Sequence, residues 1–199
     1  MTAVGATLRV IAGEWRGRRL AVPAQGTRPM ADRVRESLFA VLEPRIAGAR
    51  ILDLCAGSGA LAIEALSRGA AGAVLVERAP AAVAVARANL AALGADDRAS
   101  IFAGDALRYL AEATGGFDLV LADPPYDDTR LRDGILGGVA ARRELLPVGA
   151  LLVLTGRAPH RGDARATPDG LRCARSMRYG DTCVDLIEPV AALGEEETR

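Results

Sequence analysis

From residue 50 onward the chain alternates short apolar runs with helical stretches, and that alternation admits few folds. Residues 50–54, 73–77, 100–103, 117–122 and 150–155 read as strands. Residues 60–67, 81–93, 106–113 and 131–144 lie between them and are rich in Ala, Leu and Arg, all good helix formers. Strands alternating with helices predict a doubly wound α/β fold, with helices on both faces of a parallel sheet. Residues 159–170 read as a loop or broken helix. Residues 171–179 and 182–189, parted by Gly180 and Asp181, read as an antiparallel hairpin at the sheet edge.

Half of the 199 residues are hydrophobic, enough for one sizeable core but scarcely for two. The expected organisation is a basic N-terminal arm with a docking helix (1–45), an α/β domain (46–190) and an acidic tail (191–199). No apolar run approaches the roughly 18 residues a bilayer span needs. The first residues lack the basic start and apolar block of a secretory signal, so a soluble, cytoplasmic protein is expected. Cys55, Cys173 and Cys183 are odd in number and widely spaced, with His160 as the single histidine, so neither a disulfide framework nor a metal site is expected. Nothing indicates oligomerisation, and a monomer is expected.

Acidic and basic residues balance at 25 each, so any affinity for nucleic acid must come from local clustering of charge. The amino end supplies it. Arg9, Arg16, Arg18, Arg19, Arg28, Arg33 and Arg35 are accompanied by only Glu14, Asp32 and Glu36. Arginine offers a planar fork of donors for phosphate and can stack on bases. With Trp15 among the arginines, the arm reads as an RNA-contact surface; the competing reading is an ordinary solvated edge with a packing tryptophan. Residues 27–42 read as a helix whose apolar stripe, Val34, Leu38, Val41 and Leu42, docks the arm on the core.

Asp53-Leu54-Cys55-Ala56-Gly57-Ser58-Gly59 lies where the first of these strands gives way to a helix. Open α/β sheets bind ligands at the carboxyl ends of their strands. Glu77, 20 residues beyond Gly57, ends the second strand, where it can accept hydrogen bonds from both hydroxyls of a ribose. Asp105 follows the third strand, within reach of the exocyclic amine of an adenine. Three strand-end acids thus point at one nucleoside. Asp53 favours the cationic amine of a methionine moiety and would repel a pyrophosphate, which favours S-adenosylmethionine over a dinucleotide. The candidate cofactor-binding set is Asp53, Cys55, Ala56, Gly57, Gly59, Glu77, Arg78, Asp105, Ala106 and Asp123. Helix caps and plain turns are the competing reading for these positions.

Asp123-Pro124-Pro125-Tyr126 follows the fourth strand. The exocyclic amine of a base is a weak nucleophile because its lone pair is delocalised into the ring. The Asp123 carboxylate and the Pro124 carbonyl can hold its hydrogens and aim the nitrogen at a sulfonium methyl, which is catalysis by orientation. Pro124 and Pro125 fix the backbone without competing N–H groups. Tyr126 would stack on a base turned out of its strand. These four are the candidate catalytic residues, with no metal required. The competing reading is a strand terminator with a packed tyrosine.

Over nearly its whole length the chain resembles the RsmD family of 16S ribosomal RNA guanine-N2 methyltransferases. The matching stretches are Arg9-Val10-Ile11-Ala12-Gly13-Glu14-Trp15-Arg16-Gly17-Arg18-Arg19-Leu20, Arg28-Pro29 with Asp32-Arg33-Val34-Arg35-Glu36-Ser37-Leu38-Phe39, Glu64 through Ala70, and Asp123 through Tyr126. The resemblance implies a class I (Rossmann-like) methyltransferase fold, a seven-stranded mostly parallel sheet with a C-terminal antiparallel hairpin, and S-adenosyl-L-methionine as donor. It further implies a target guanine of 16S ribosomal RNA, conventionally numbered 966, within a small-subunit particle. Met30, Cys55 and Ala62 stand where the family commonly has threonine, phenylalanine and glycine.

Three other readings compete with this one. An adenine-N6 nucleic-acid methyltransferase would use a similar tetrapeptide but is expected to carry an added target-recognition domain. A nicotinamide-dependent oxidoreductase would share the α/β sheet, and a cofactor-free RNA-binding protein would use the arginine arm alone.

Overall fold

The computed structural model describes residues 4–24, 30–158 and 166–190. Among the described residues, a two-stranded antiparallel sheet joins β1 (Val4–Arg9) to β2 (Arg19–Pro23). Helix α1 (Asp32–Leu42) follows, and then the alternating units β3 (Arg50–Leu54), α2 (Ala60–Ser67), β4 (Gly72–Glu77), α3 (Pro80–Leu93), β5 (Ala99–Ala103), α4 (Ala106–Glu112), β6 (Leu119–Ala122), α5 (Thr129–Ala141) and β7 (Leu151–Arg157). Strands β8 (Leu171–Tyr179) and β9 (Thr182–Pro189) close the order.

Seven strands form one sheet in the order β5-β4-β3-β6-β7-β9-β8, the class I methyltransferase arrangement. The first five of these are parallel, and β9 pairs antiparallel with both β7 and β8. The chain leaves β3 in one direction through β4 and β5, then returns to its other side through β6 and β7. This reversal opens a crevice between β3 and β6, the place where open α/β sheets bind ligands.

Alternating side chains send each strand into two cores. Ile51, Leu75, Leu119, Leu121, Leu151 and Val153 pack on the face covered by α1, α2, α3 and the arm. Leu52, Leu54, Val76, Val120, Leu152 and Leu154 pack on the face covered by α4 and α5. The runs are apolar throughout because both faces are covered. Local signals set the helix ends: Pro80 opens α3 and left-handed Gly94 closes it, while Asp105 caps α4 by accepting the Leu107 and Arg108 amides.

The arm departs from expectation. Its basic stretch is a hairpin tied into the core, with Val10, Trp15 and Leu20 buried beside Leu66 and Leu90. Two residues of α2 hold the hairpin: Glu64 accepts the Ile11 and Ala12 amides at 2.8 and 3.1 Å, and Ser67 Oγ accepts the Trp15 amide at 3.0 Å. Gly13, at φ 83°, passes so close that an added Cβ would lie 1.8 Å from the Ser67 carbonyl oxygen. Helix α1 begins at Asp32, not at residue 27, and α5 ends at Ala141, three residues short of the predicted end. Arg28, Pro29, residues 159–165 of the predicted loop and the predicted tail lie outside the described residues.

Candidate active site

Strand register alone aligns the site. Leu54 pairs with both Val76 and Ala122, so Cys55, Glu77 and Asp123 leave the sheet at one level. A cleft of about 790 Å³ opens there. Its walls include Asp53, Cys55, Ala56, Gly57, Glu77, Arg78, Asp105, Ala106 and the whole tetrapeptide Asp123 to Tyr126. The structure thus brings the strand-end acids, the loop and the tetrapeptide together. Gly59 stands behind the wall: at φ 79° it starts α2, and a Cβ there would meet Leu75 Cδ2 at 2.9 Å.

Asp53 is 1% exposed. Its Oδ2 accepts the Ala62 amide at 3.1 Å, and its Oδ1 has no hydrogen-bond partner. Burial, reinforced by the charges of Asp123 and Glu77, pushes its pKa up to about 8 against the pull of the Ala62 bond. A buried carboxylate oxygen without a donor is costly, and a cationic amine in the cleft would satisfy it. Cys55 adopts φ 64°, unusual for a residue with a side chain, and turns the loop back over the sheet. Burial pushes its thiol up to about 12, so it stays neutral.

Glu77 receives the Gly57 amide on Oε2 and the Ala79 amide on Oε1, both at 2.8 Å. The two bonds fix the carboxylate at the cleft wall, and each oxygen keeps a second lone pair for a ribose hydroxyl. Asp105 spends Oδ1 on capping α4 while still lining the cleft, so the cap and the ligand readings coexist at that position.

Asp123 Oδ1 accepts a hydrogen bond from the Thr155 hydroxyl on β7. Burial raises its carboxyl above the usual range, and the Thr155 bond partly offsets that. Pro124 is buried, and the Pro125 carbonyl accepts the Asp128 amide at 2.9 Å, closing the turn that leads into α5. The Tyr126 hydroxyl meets Thr182 Oγ1 of β9 at 2.8 Å, which braces the tyrosine at the rim. Thr155, Thr182 and Arg157 were missed by sequence reasoning. Thr155 had a signal, a hydroxyl within an otherwise apolar strand end, and Arg157 follows it two residues on in the same parallel strand; Thr182 had none, because only the antiparallel pairing of β9 with β7 carries it to the cleft.

The arginine surface needs two corrections. Trp15 is 6% exposed, packed in the core with the Arg98 guanidinium 4.7 Å from its ring, and is no RNA-stacking platform. Arg35 is 1% exposed, its Nη2 donating to the Arg9 carbonyl and to Asp32, and it is no surface phosphate contact. Arg9, Arg16, Arg18, Arg19 and Arg33 are exposed. Arg18 reaches across to the Ala92 carbonyl of α3 at 2.6 Å. Among the described residues, no helix is long and apolar enough to cross a membrane.

The chain is 48% identical over 120 residues to the Ribosomal RNA small subunit methyltransferase D of Escherichia coli strain K12, covering 60% of each. It is 39% identical over 123 residues to the protein of that name from Haemophilus influenzae, covering 60% of this chain and 64% of that one. The matched part therefore spans less than two thirds of these relatives' length. The solved structure of yhhF from Escherichia coli superposes with a TM-score of 0.81 at 34% identity, covering 92% of this chain and 98% of that one. A Thiobacillus denitrificans methyltransferase solved with S-adenosyl-L-homocysteine shares the fold at a TM-score of 0.54 and 21% identity, over 64% of this chain and 49% of that one. The profile of conserved hypothetical protein 95 matches residues 8–188, and with the identities above it establishes that the chain belongs to the RsmD family.

Proposed function

We propose that the chain is an S-adenosylmethionine-dependent ribosomal RNA methyltransferase that modifies the exocyclic N2 of a guanine in 16S ribosomal RNA, the one numbered 966. It would act in the cytoplasm on an assembling small-subunit particle. The observation that carries this reading is the convergence of Asp53, Glu77 and Asp123 on one cleft at the strand-order reversal, within an RsmD-family chain. The orphaned Asp53 Oδ1 and the glycine-bearing loop fit the donor's methionine end, and Glu77 fits its ribose.

When bound, the donor supplies an electrophilic methyl group on a sulfonium. The protein's part is alignment and proton management. Asp123, held through Oδ1 by Thr155, offers Oδ2 to one hydrogen of the guanine amine, and the Pro124 carbonyl accepts the other. As the nitrogen gains its methyl it loses a proton, and Asp123 Oδ2 is placed to take it; burial raises its affinity for that proton. Tyr126, braced by Thr182, stacks on the displaced base. Exposed Arg9, Arg16, Arg18, Arg19 and Arg33 grip phosphates beyond the cleft.

The test is mass spectrometry of ribosomal RNA from cells lacking the chain. One methyl group should be missing from a guanine amine, restored by the wild type and not by Asp123→Ala. A methyl lost instead from an adenine amine would replace the guanine assignment with the adenine-N6 alternative.

A further inference from the structure

Strands β7 and β9 present one face to the segment that follows β6, and three side chains of that face hold it. Thr155 donates to Asp123, the Thr182 hydroxyl meets that of Tyr126 at 2.8 Å, and Arg157 Nη2 donates to Asp127 Oδ1 at 2.8 Å. Arg157 lies opposite Thr182 in the antiparallel pair and two residues beyond Thr155, so the three share a face. Arg157 and Thr182 line the cleft together with Asp123, Tyr126 and Asp127.

The third contact differs from the other two. The Arg157 and Asp127 side chains are 64% and 86% exposed, and an ion pair that open to water adds little to stability, so as a brace for the loop it is weak. Among the described residues Nη2 is the engaged end of the guanidinium, which leaves Nε and Nη1 to face a ligand. What Asp127 supplies is orientation: it holds a planar fork of donors at the cleft mouth. With the base amine held at Asp123 and the ring on Tyr126, as proposed above, Arg157 stands about 7 Å along β7 from the threonine that fixes Asp123. That distance matches the edge of the base remote from the reacting amine. In guanine that edge, across the ring from N2, carries two acceptors, O6 and N7, the pattern an arginine fork matches with two parallel hydrogen bonds. A base with an amino group on C6 turns a donor toward the same fork and is rejected.

We infer that Arg157 reads the target base, donating to O6 and N7 of the guanine whose N2 is methylated. The inference rests on the guanine-N2 reading above and adds to it the residue that excludes bases with an amino group at C6. A backbone phosphate would offer the same fork an anion, but the place of Arg157, on the cleft wall beside the braces of Asp123 and Tyr126, favours the base.

The test measures single-turnover methyl transfer from S-adenosylmethionine to small-subunit particles whose 16S ribosomal RNA carries guanine, adenine or 2,6-diaminopurine at the target position. Diaminopurine keeps the N2 amine but replaces O6 with an amino group. The wild type should modify guanine at least about tenfold faster than diaminopurine, the scale of discrimination by one arginine–guanine pair. Arg157→Met should bring the two rates together by slowing guanine alone. Arg157→Gln, whose amide both donates and accepts, should shift the preference toward diaminopurine. Equal wild-type rates on guanine and diaminopurine would overturn the inference with no variant needed, so a variant that fails to fold does not shield it. A preference that survives in Arg157→Met would overturn it too, and so would equal slowing on both bases with a shallower salt dependence, which marks a phosphate contact. A wild type that modifies neither guanine nor diaminopurine, or that modifies adenine, would instead sink the guanine-N2 reading itself.

Discussion

At Asp53, burial and ligand recognition pull in opposite directions. Its pKa in the fold is raised from an ordinary 3.8 to about 8, so the proton-bound form is the one the free protein favours. A raised carboxyl contributes stability that is complete below 3.8 and is lost as pH climbs through about 8. Donor binding works the other way, since an ammonium prefers the ionised carboxylate. Affinity for S-adenosylhomocysteine should therefore rise between pH 6 and pH 8, and calorimetry should record proton release at pH 6. Asp53→Asn should flatten that profile and raise the melting temperature of the free protein at pH 8 more than at pH 5; an unchanged slope would remove Asp53 from the ammonium site. At Asp123 the expectation is kinetic. Asp123→Asn keeps the shape but loses the proton acceptor, and turnover should fall roughly a hundredfold or more with donor affinity nearly intact, as loss of a general base implies. Thr155→Val should reduce turnover less and leave KM for the donor alone. Residue by residue, the strand-end acids were legible because position in an α/β unit dictates their direction. Burial was not: Trp15 and Arg35 sit in a basic stretch whose composition is the same whether they face water or core.

The elements show the same division. Strands β3, β8 and β9 and helix α2 match the sequence reading residue for residue, because buried runs and glycine punctuation mark them strongly. Strands β1 and β2 went unread: they are short, flank an arginine-bearing loop, and are stabilised by long-range bonds that no local window contains. Those bonds come from two helices, and Asn89 of α3 both donates to and accepts from the Ala21 backbone of β2. Glu64 and Ser67 of α2 hold the backbone at Ile11, Ala12 and Trp15, while Arg68 binds Glu64 at 2.8 Å and pairs with Glu43. This explains why two distant stretches of the family resemblance, at the arm and at α2, occur together. It also makes Gly13 the most sensitive arm position. Gly13→Ala must hold a left-handed conformation, at a cost of about 1–2 kcal/mol, and also push its Cβ off the Ser67 carbonyl. Chemical denaturation should show a loss of at least that size, with the arm exchanging its amides faster than β4 does. Equal protection in variant and wild type would mean the hairpin docks by other contacts.

Across the whole molecule, net charge is zero, so RNA has no long-range reason to prefer this surface over any other. On the proposed function attraction would come from the local field of the exposed arm arginines, while the acids Asp53, Glu77, Asp105 and Asp123 line the cleft beside Arg78 and Arg157. Such a layout separates two tasks that a uniformly basic protein would mix. On the proposed function, phosphates would be held on the arm and the cleft would be left to a base and a cationic donor. Replacing Arg16, Arg18 and Arg19 together with alanine should then weaken RNA association and lower the slope of log affinity against log salt by as much as about 2, if all three meet phosphates of a single strand. Arg18 carries a second role, its bond to the Ala92 carbonyl, so part of any stability loss belongs to the arm's seat on α3. Affinity for S-adenosylhomocysteine should stay at the wild-type value, because none of the three lines the cleft. A salt slope that does not move would place the RNA on another face, and a parallel loss of donor affinity would mean the arm and the cleft act as one unit.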